Sequence, residues 1–414
     1  VTLDFTIDPA EVEEYVLTLA AHGAWGETGV WRPVYSPEWF AAQEQVVAWC
    51  REAGLETRWD AAGNVWGRLE GTEGGKVIVT GSHIDSQLPG GRYDGTLGVI
   101  SGLLALKTLK ERFGRPRQTI ELVSFCEEES SRFPSAEHWG SRAVAGAISP
   151  EALVNVVSYD GEPIGEVMRV AGFDPDRIGE AKRDDIDIFI ELHIEQGPIL
   201  EQDRLPVGVV TAITGLRHYQ IELTGRADHA GARPMDLRRD PMVGAAEIIS
   251  TVLATAHRMG RPAVTTCGRL SVEPNLPSII PETVRFTIDA RHPDPETRAL
   301  LYARHEASFA EIASRRDLDI TWRVSAEQPP RRSDPALVKT FEQAAAERGV
   351  PYRLIESGAV HDANRMAELS RMVMLFVQSK DGRSHTPDEY TAPEHAAAGT
   401  ETLIEGLYRL AYDR

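Results

Sequence analysis

Four short apolar runs along this chain each lead to a histidine or a carboxylate, and no other feature constrains the fold as strongly. Residues 76–80 run into Gly81, Ser82 and His83, and residues 119–125 into the triplet Glu127, Glu128 and Glu129. Residues 186–192 run into His193, and residues 371–377 into a loop carrying His385. β-Branched and aliphatic runs of this length, bounded by polar loops, read as buried strands. After the first, Leu97, Ile100, Leu103, Leu104 and Leu106 recur at near-helical spacing over residues 95–110, completing a strand-loop-helix unit. Strands alternating with helices imply an α/β fold with a mostly parallel sheet, whose ligands collect beyond the carboxyl ends of the strands.

The pattern changes in the middle of the chain. Strands over 218–223, 264–272, 284–291 and 318–324 and helices over 241–259 and 295–315 make two copies of β-α-β. This predicts an inserted α+β domain, with a four-stranded antiparallel sheet and two helices, over 212–327. Residues 1–211 and 328–414 then form the first domain, re-entered through Pro329 and Pro330, which force extended backbone. Two domains suit a length of 414 residues, beyond the size at which one core stops growing.

Composition removes several function classes. With 63 Asp and Glu against 44 Lys and Arg, the chain lacks the basic excess that binds nucleic acid or anionic membrane. No run reaches the roughly 20 apolar residues of a membrane span, and residues 1–21 lack a basic leader pattern, so a cytoplasmic location is expected. Three scattered cysteines, Cys50, Cys126 and Cys267, indicate neither a disulfide framework nor a thiolate zinc site.

Taken singly, the polar positions have bland readings. His83 is equally a satisfied structural histidine, although Asp85, two residues on, is placed to accept its second imidazole N–H. Asp94, in Gly90-Gly91-Arg92-Tyr93-Asp94-Gly95, is equally a turn or helix-cap residue, and three glutamates after a strand usually face solvent. His193 reads as a core histidine and His385 as a loop residue. Together, at one edge of one sheet, they supply three histidines, a terminal carboxylate and a bridging carboxylate, enough for two divalent metals and an activated water. Within the triplet one carboxylate would ligate while its neighbour stays free as general base. Nitrogen and oxygen ligands without thiolate leave zinc, manganese, cobalt and nickel open.

The motifs also resemble a known family. Gly-Ser-His-Ile-Asp-Ser from Gly81, Gly-Gly-Arg-Tyr-Asp-Gly from Gly90, Glu-Glu-Ser-Ser-Arg-Phe-Pro from Glu128 and Glu-Leu-His-Ile-Glu-Gln-Gly from Glu191 look like the N-carbamoyl-L-amino acid hydrolase, β-ureidopropionase and allantoate amidohydrolase group. So do His-Ala-Gly-Ala-Arg-Pro-Met from His229, Ser-Gly-Ala-Val-His-Asp-Ala from Ser357 and Ser-His-Thr-Pro from Ser384. These are binuclear-metal amidohydrolases related to aminoacylases and metallo-carboxypeptidases. The resemblance implies that His83 and His193 hold one metal and Glu129 and His385 the other, with Asp94 shared and Glu128 the general base. It implies that Asp85 supports the centre, that His229 in the inserted domain stabilises the oxyanion, and that Arg291 grips a substrate carboxylate. Gln196, Gly358 and His361 match substrate-side positions, and His218 lies in the segment that separates substrates within the group. Ser278 stands where the family has a carboxylate-binding Asn, with Asn275 three positions early, and Ser130 replaces a glycine.

The expected activity is metal-dependent cleavage of the carbamoyl C–N bond of an N-carbamoyl-L-amino acid, giving amino acid, ammonia and carbon dioxide. Allantoate amidohydrolase is the nearest alternative, favoured by Tyr35-Ser36-Pro37-Glu38-Trp39 and by Glu-Ser-Ser-Arg-Phe-Pro from Glu129; an aminoacylase or dipeptidase would share the metals. A non-enzymatic binding protein has no need of both a ligand set and a free base. The resemblance further implies a small carboxylate-bearing ureido or amide substrate and a homodimer formed through the lid domain.

Overall fold

The computed structural model describes residues 3–413, which divide into two compact units. One comprises the chain up to Thr211, Arg332–Ile355 and the segment from His361 onward; the other comprises Ala212–Arg331 and Glu356–Val360.

The first unit is built on a nine-stranded sheet. Its central run, in order, is Arg371–Val377, Ile186–Ile194, Val77–His83 and Ile120–Phe125, and these four are mutually parallel. Val207–Ile213 pairs antiparallel at one side and Val65–Leu69, followed by Glu56–Trp59, at the other. The sheet is therefore mixed, which corrects the expectation of a mostly parallel one: the flanking strands are joined to their sheet neighbours through long stretches of chain that can return in either direction, and only Glu56–Trp59 and Val65–Leu69 form a tight antiparallel hairpin. Those inner strands are buried nearly throughout, as continuous apolar runs require.

Helices Thr96–Phe113 and Pro393–Ala411 cover the sheet and touch through the Ser101 and Thr400 hydroxyls, 2.9 Å apart. Helix Pro37–Glu52 starts at Ser36, whose hydroxyl accepts the Trp39 N–H, and buries Trp39 completely. Burying one such large apolar side chain stabilises by roughly 1.5–3 kcal/mol.

In the second unit, Thr283–His292 pairs with Gly215–Thr224, which pairs with Asp319–Gln328, all antiparallel. Val264–Thr266 and Leu270–Glu273 both pair with the other side of Thr283–His292, so the expected four sheet positions are filled by five segments, one edge strand being interrupted. Helices Pro241–Met259 and Pro295–Arg315 begin where Asp240 and Asp294 accept backbone N–H groups ahead of a proline. Alternation along Thr283–His292 buries Val284, Phe286 and Ile288 with Tyr219, Ile221 and Phe309, and turns Asp289 and Arg291 to the opposite face. Among the described residues no helix is long and apolar enough to cross a membrane.

Candidate metal centre

The four parallel strands deliver their polar ends side by side. His83 terminates its strand, His193 is the penultimate residue of Ile186–Ile194, the glutamate triplet follows Ile120–Phe125, and His385 follows Arg371–Val377. Asp94 arrives on the loop before Thr96–Phe113, where Gly95 adopts φ +62° and a Cβ would fall 2.3 Å from the His83 ring. No side chain fits there, so glycine is what lets the Asp94 loop close onto His83.

Asp94 is the hub. Its Oδ1 lies 3.0 Å from His193 Nε2 and 3.6 Å from His83 Nε2, while Oδ2 lies 3.4 Å from His385 Nε2. His385 Nε2 is also 3.4 Å from Glu129 Oε2. Two trios result, His83 with Asp94 and His193, and Asp94 with Glu129 and His385, each with donor atoms mutually within 4.8 Å. Ligands on a tetrahedral ion at about 2.1 Å sit roughly 3.4 Å apart, which matches the 3.0, 3.6, 3.4 and 3.4 Å separations to Asp94 and between His385 and Glu129. His83 Nε2 is buried and has no hydrogen-bond partner, an orphan that coordination would satisfy. A third trio, Glu191 with His193 and His361, is less open, because Glu191 already accepts from the Ser82 hydroxyl at 2.7 Å and the Ala363 N–H at 2.9 Å.

The electrostatics agree with a cation site. Burial is the largest single influence and would lower the imidazoles, but Asp94 with Glu191 at His193, and Glu129 with Asp94 at His385, together outweigh it and raise them to about 9 and about 10. His83 is likewise raised despite burial, with Glu128 and Asp94 the opposing causes. Burial pushes Glu129 up to about 8. Burial opposes ionisation of Glu128 as well, yet His83 and His138 bring it down to about 2.

The triplet divides into three jobs. Glu127 is buried and accepts the N–H groups of Arg132 and Phe133, closing the loop. Glu128 joins neither metal trio; its Oε2 is 3.6 Å from His83 Nε2 and its Oε1 3.4 Å from His138 Nε2. Glu129 Oε2 receives the Gln87 side-chain N–H at 2.9 Å. Ser130 takes φ +51°, where glycine is the usual residue, and its hydroxyl accepts the Glu137 N–H, which helps hold the turn.

Asp85 is placed differently from expectation. The second imidazole nitrogen of His83 lies 3.0 Å from the Asp85 backbone carbonyl, while the carboxylate is 3.7 Å away at its nearest. That carboxylate instead accepts the N–H groups of Glu128 and Glu129, at 3.3 and 3.1 Å. It therefore orients Glu128 and Glu129 rather than the histidine. Gln196 also turns inward: its side-chain N–H reaches Asp94 Oδ2 at 2.7 Å. His361 is buried with its ring 4.6 Å from that of His193, and burial with the His193 charge lowers it.

The second unit assembles its own cluster. Asp289 lies directly opposite His218 in the strand register and accepts from its Nε2 at 2.8 Å. Asp289 also receives Arg291 Nε and Nη2, at 3.0 and 2.9 Å, while Nη1 donates to the Gly358 carbonyl. One N–H on each terminal nitrogen of Arg291 is left over, the end-on fork that suits a carboxylate. Burial would raise Asp289, but His218 and Arg291 together hold it at about 2. His229 is exposed, and its Nδ1 accepts the N–H groups of Gly231 and Ala232, which leaves the ring proton on Nε2 as a donor. His229 pairs with Ile279, and Ser278 contributes its carbonyl to the Ala230 N–H. Asn275 and Ser278 are exposed, and their side chains join no part of the Asp289 cluster. Asp289 was not singled out from sequence; a carboxylate two residues from Arg291 was the only available signal.

Known proteins are similar to this chain over nearly its whole length. The model of peptidase family M20/M25/M40 matches residues 80–409. Allantoate amidohydrolase of Bacillus subtilis (strain 168) is 39% identical over 97% of this chain and 97% of its own length. N-Carbamoyl-L-amino acid amidohydrolase of Geobacillus stearothermophilus is 40% identical over 92% and 94%. The crystal structure of an amidase of the hydantoinase/carbamoylase family from Burkholderia multivorans superposes with a TM-score of 0.89, at 35% identity and 98% coverage of both chains.

Proposed function

The chain belongs to peptidase family M20/M25/M40, and from that premise we propose that it hydrolyses a ureido C–N bond of allantoate. At the coarser level it is a hydrolase of carbon–nitrogen bonds other than peptide bonds, acting on a ureido- or carbamoyl-type small molecule. The two-sided placement of Asp94 between the trios is the observation that carries the hydrolytic reading. The choice of allantoate is supported by the allantoate amidohydrolases similar over nearly the whole chain and by the Tyr35–Trp39 and Glu129–Pro134 segments. N-Carbamoyl-L-amino acids are the second reading, favoured by the 40% identical relative.

His83 and His193 are assigned to one divalent ion and Glu129 and His385 to the other, with Asp94 shared. When bound, such ions supply Lewis acidity toward the ureido carbonyl and make water a nucleophile near neutral pH. Glu128, ionised and outside both trios, takes the proton of the attacking water and returns it to the leaving nitrogen. His229 offers an Nε2–H for the developing oxyanion, and Arg291, braced by Asp289, offers its end-on fork to the substrate carboxylate. Gln196, His218, Gly358, His361, Asn275 and Ser278 are assigned to the substrate side. By the same reading residues 212–327 form a lid and dimer contact, and the protein acts in the cytoplasm.

The test is ammonia release by protein reconstituted with zinc, manganese, cobalt or nickel. Allantoate, N-carbamoyl-L-amino acids and N-carbamoyl-β-alanine are offered in parallel with N-acetyl amino acids, for which free amino acid is measured because their cleavage releases no ammonia. Turnover of allantoate above the others is expected; hydrolysis of N-acetyl compounds alone would overturn the ureido reading.

A further inference from the structure

We propose that Glu389 is a positioning residue that locks the Asp94 loop to the His385 loop, so that Asp94 presents one oxygen to each metal trio. The proposal rests on the assignment of Asp94 and His385 as metal ligands. Glu389 is 3% exposed, and a carboxylate that deep needs compensating donors. Its Oε1 accepts the backbone N–H groups of Tyr93 and Asp94, each at 2.9 Å. Its Oε2 lies 2.8 Å from the Ser384 hydroxyl, which is in turn 2.6 Å from Asp94 Oδ2. The Glu389 N–H returns to the Thr386 carbonyl, folding the loop around His385 onto itself.

These contacts close a ring through the Asp94 amide, its carboxylate, Ser384 and Glu389, joining segments 295 residues apart. The ring fixes the side-chain torsion of Asp94: with Oδ2 held toward Ser384 and Gln196, Oδ1 can face only His193 and His83. Gly91 shows how closely the chain must approach, since a Cβ there would fall 2.2 Å from the Glu389 carboxyl. Glu389 is not itself a ligand, because both oxygens are engaged inside the ring and neither belongs to a metal trio. Outer partners of this kind are worth roughly 10–100-fold in metal affinity.

The test compares Glu389→Ala, Glu389→Gln and Ser384→Ala in the full-length chain, reading Co(II) affinity, stoichiometry and the visible Co(II) spectrum. Glu389→Ala is expected to weaken the ion at the Asp94, Glu129 and His385 trio by roughly 10–100-fold and to shift the Co(II) bands. Glu389→Gln is expected to restore both, because the amide oxygen still accepts the Tyr93 and Asp94 N–H groups. Its NH2 can donate to Ser384, which then donates to Asp94. Full two-ion affinity and an unchanged spectrum in a folded Glu389→Ala protein would overturn the proposal, as would a Gln variant as impaired as the Ala variant. Should Glu389→Ala not fold, Ser384→Ala removes only the hydroxyl link; a smaller loss with the same spectral shift is expected, and wild-type behaviour refutes the ring. Ion binding is read without substrate, so wild-type protein that binds two ions but hydrolyses no ureido acid would defeat the functional reading alone.

Discussion

Glu128→Gln separates base from ligand more sharply than any other substitution. Gln preserves the volume of a side chain that is 9% exposed, and it keeps polar contact with His138 Nε2, 3.4 Å from Oε1, and His83 Nε2, 3.6 Å from Oε2. What it removes is the capacity to take a proton. Because Glu128 sits at about 2, it is a carboxylate throughout the neutral range, so the whole population of enzyme loses its base. Positioned general acid–base catalysis is worth about 10²–10⁴ in rate, or roughly 3–5 kcal/mol at about 1.36 kcal/mol per decade. Steady-state ammonia release should therefore show kcat lowered by that factor with KM little changed. Metal analysis should still give two ions per chain, since Glu128 belongs to neither trio. A kcat within about tenfold of wild type would refute the base assignment, and loss of one metal equivalent would show that Glu128 is a ligand instead.

In the second unit, Arg291→Lys removes the planar fork and Asp289→Ala removes its brace; both should raise KM for a carboxylate-bearing substrate roughly 10–100-fold with a smaller change in kcat, measured by initial rates. An Asp289→Ala enzyme with unchanged KM would refute the bracing role of Asp289, and an Arg291→Lys enzyme with unchanged KM would separate Arg291 from substrate binding. Gly95→Ala forces a Cβ into the His83 ring at φ +62°, so loss of metal content together with a lowered Tm is expected, and an unperturbed variant would contradict the close approach of the two loops. His305 is fully buried beside the Thr265 hydroxyl, and burial lowers it from 6.5 to about 4. Its depressed folded value means that the unfolded chain protonates first, so stability is present above pH 6.5 and is lost as pH falls toward 4. From pH 7 to 5 this amounts to ~2 kcal/mol. Urea unfolding at both pH values should show a smaller loss for His305→Gln than for wild type, and an equal loss would refute the linkage.

Much of the framework was legible because it is written locally. Residues 371–377 form the strand expected from their unbroken apolar run, and Pro241–Met259 and Pro295–Arg315 have the ends expected from sequence, because an Asp cap precedes a proline in each case. Most of the candidate ligands were legible for a related reason: a polar group placed at the end of a buried strand or in the loop after it lies at the sheet's carboxyl edge, and Asp94 reaches the same edge from the loop leading into the next helix. Tertiary structure alone decided how those groups are used. Strand direction outside the inner four depended on which neighbours paired, which periodicity does not encode, and the sheet proved mixed. Asp85, read two residues from His83 as its partner, turns to the amides of Glu128 and Glu129 on the neighbouring strand's loop. Glu389 carried no sequence signal at all, because its task is to satisfy amides on the far side of the chain's own contour. Which residues reach the carboxyl edge of the sheet follows from local hydrophobic pattern; which carboxylate closes onto which donor follows from packing, since a buried charge takes whatever donors the folded chain brings within reach.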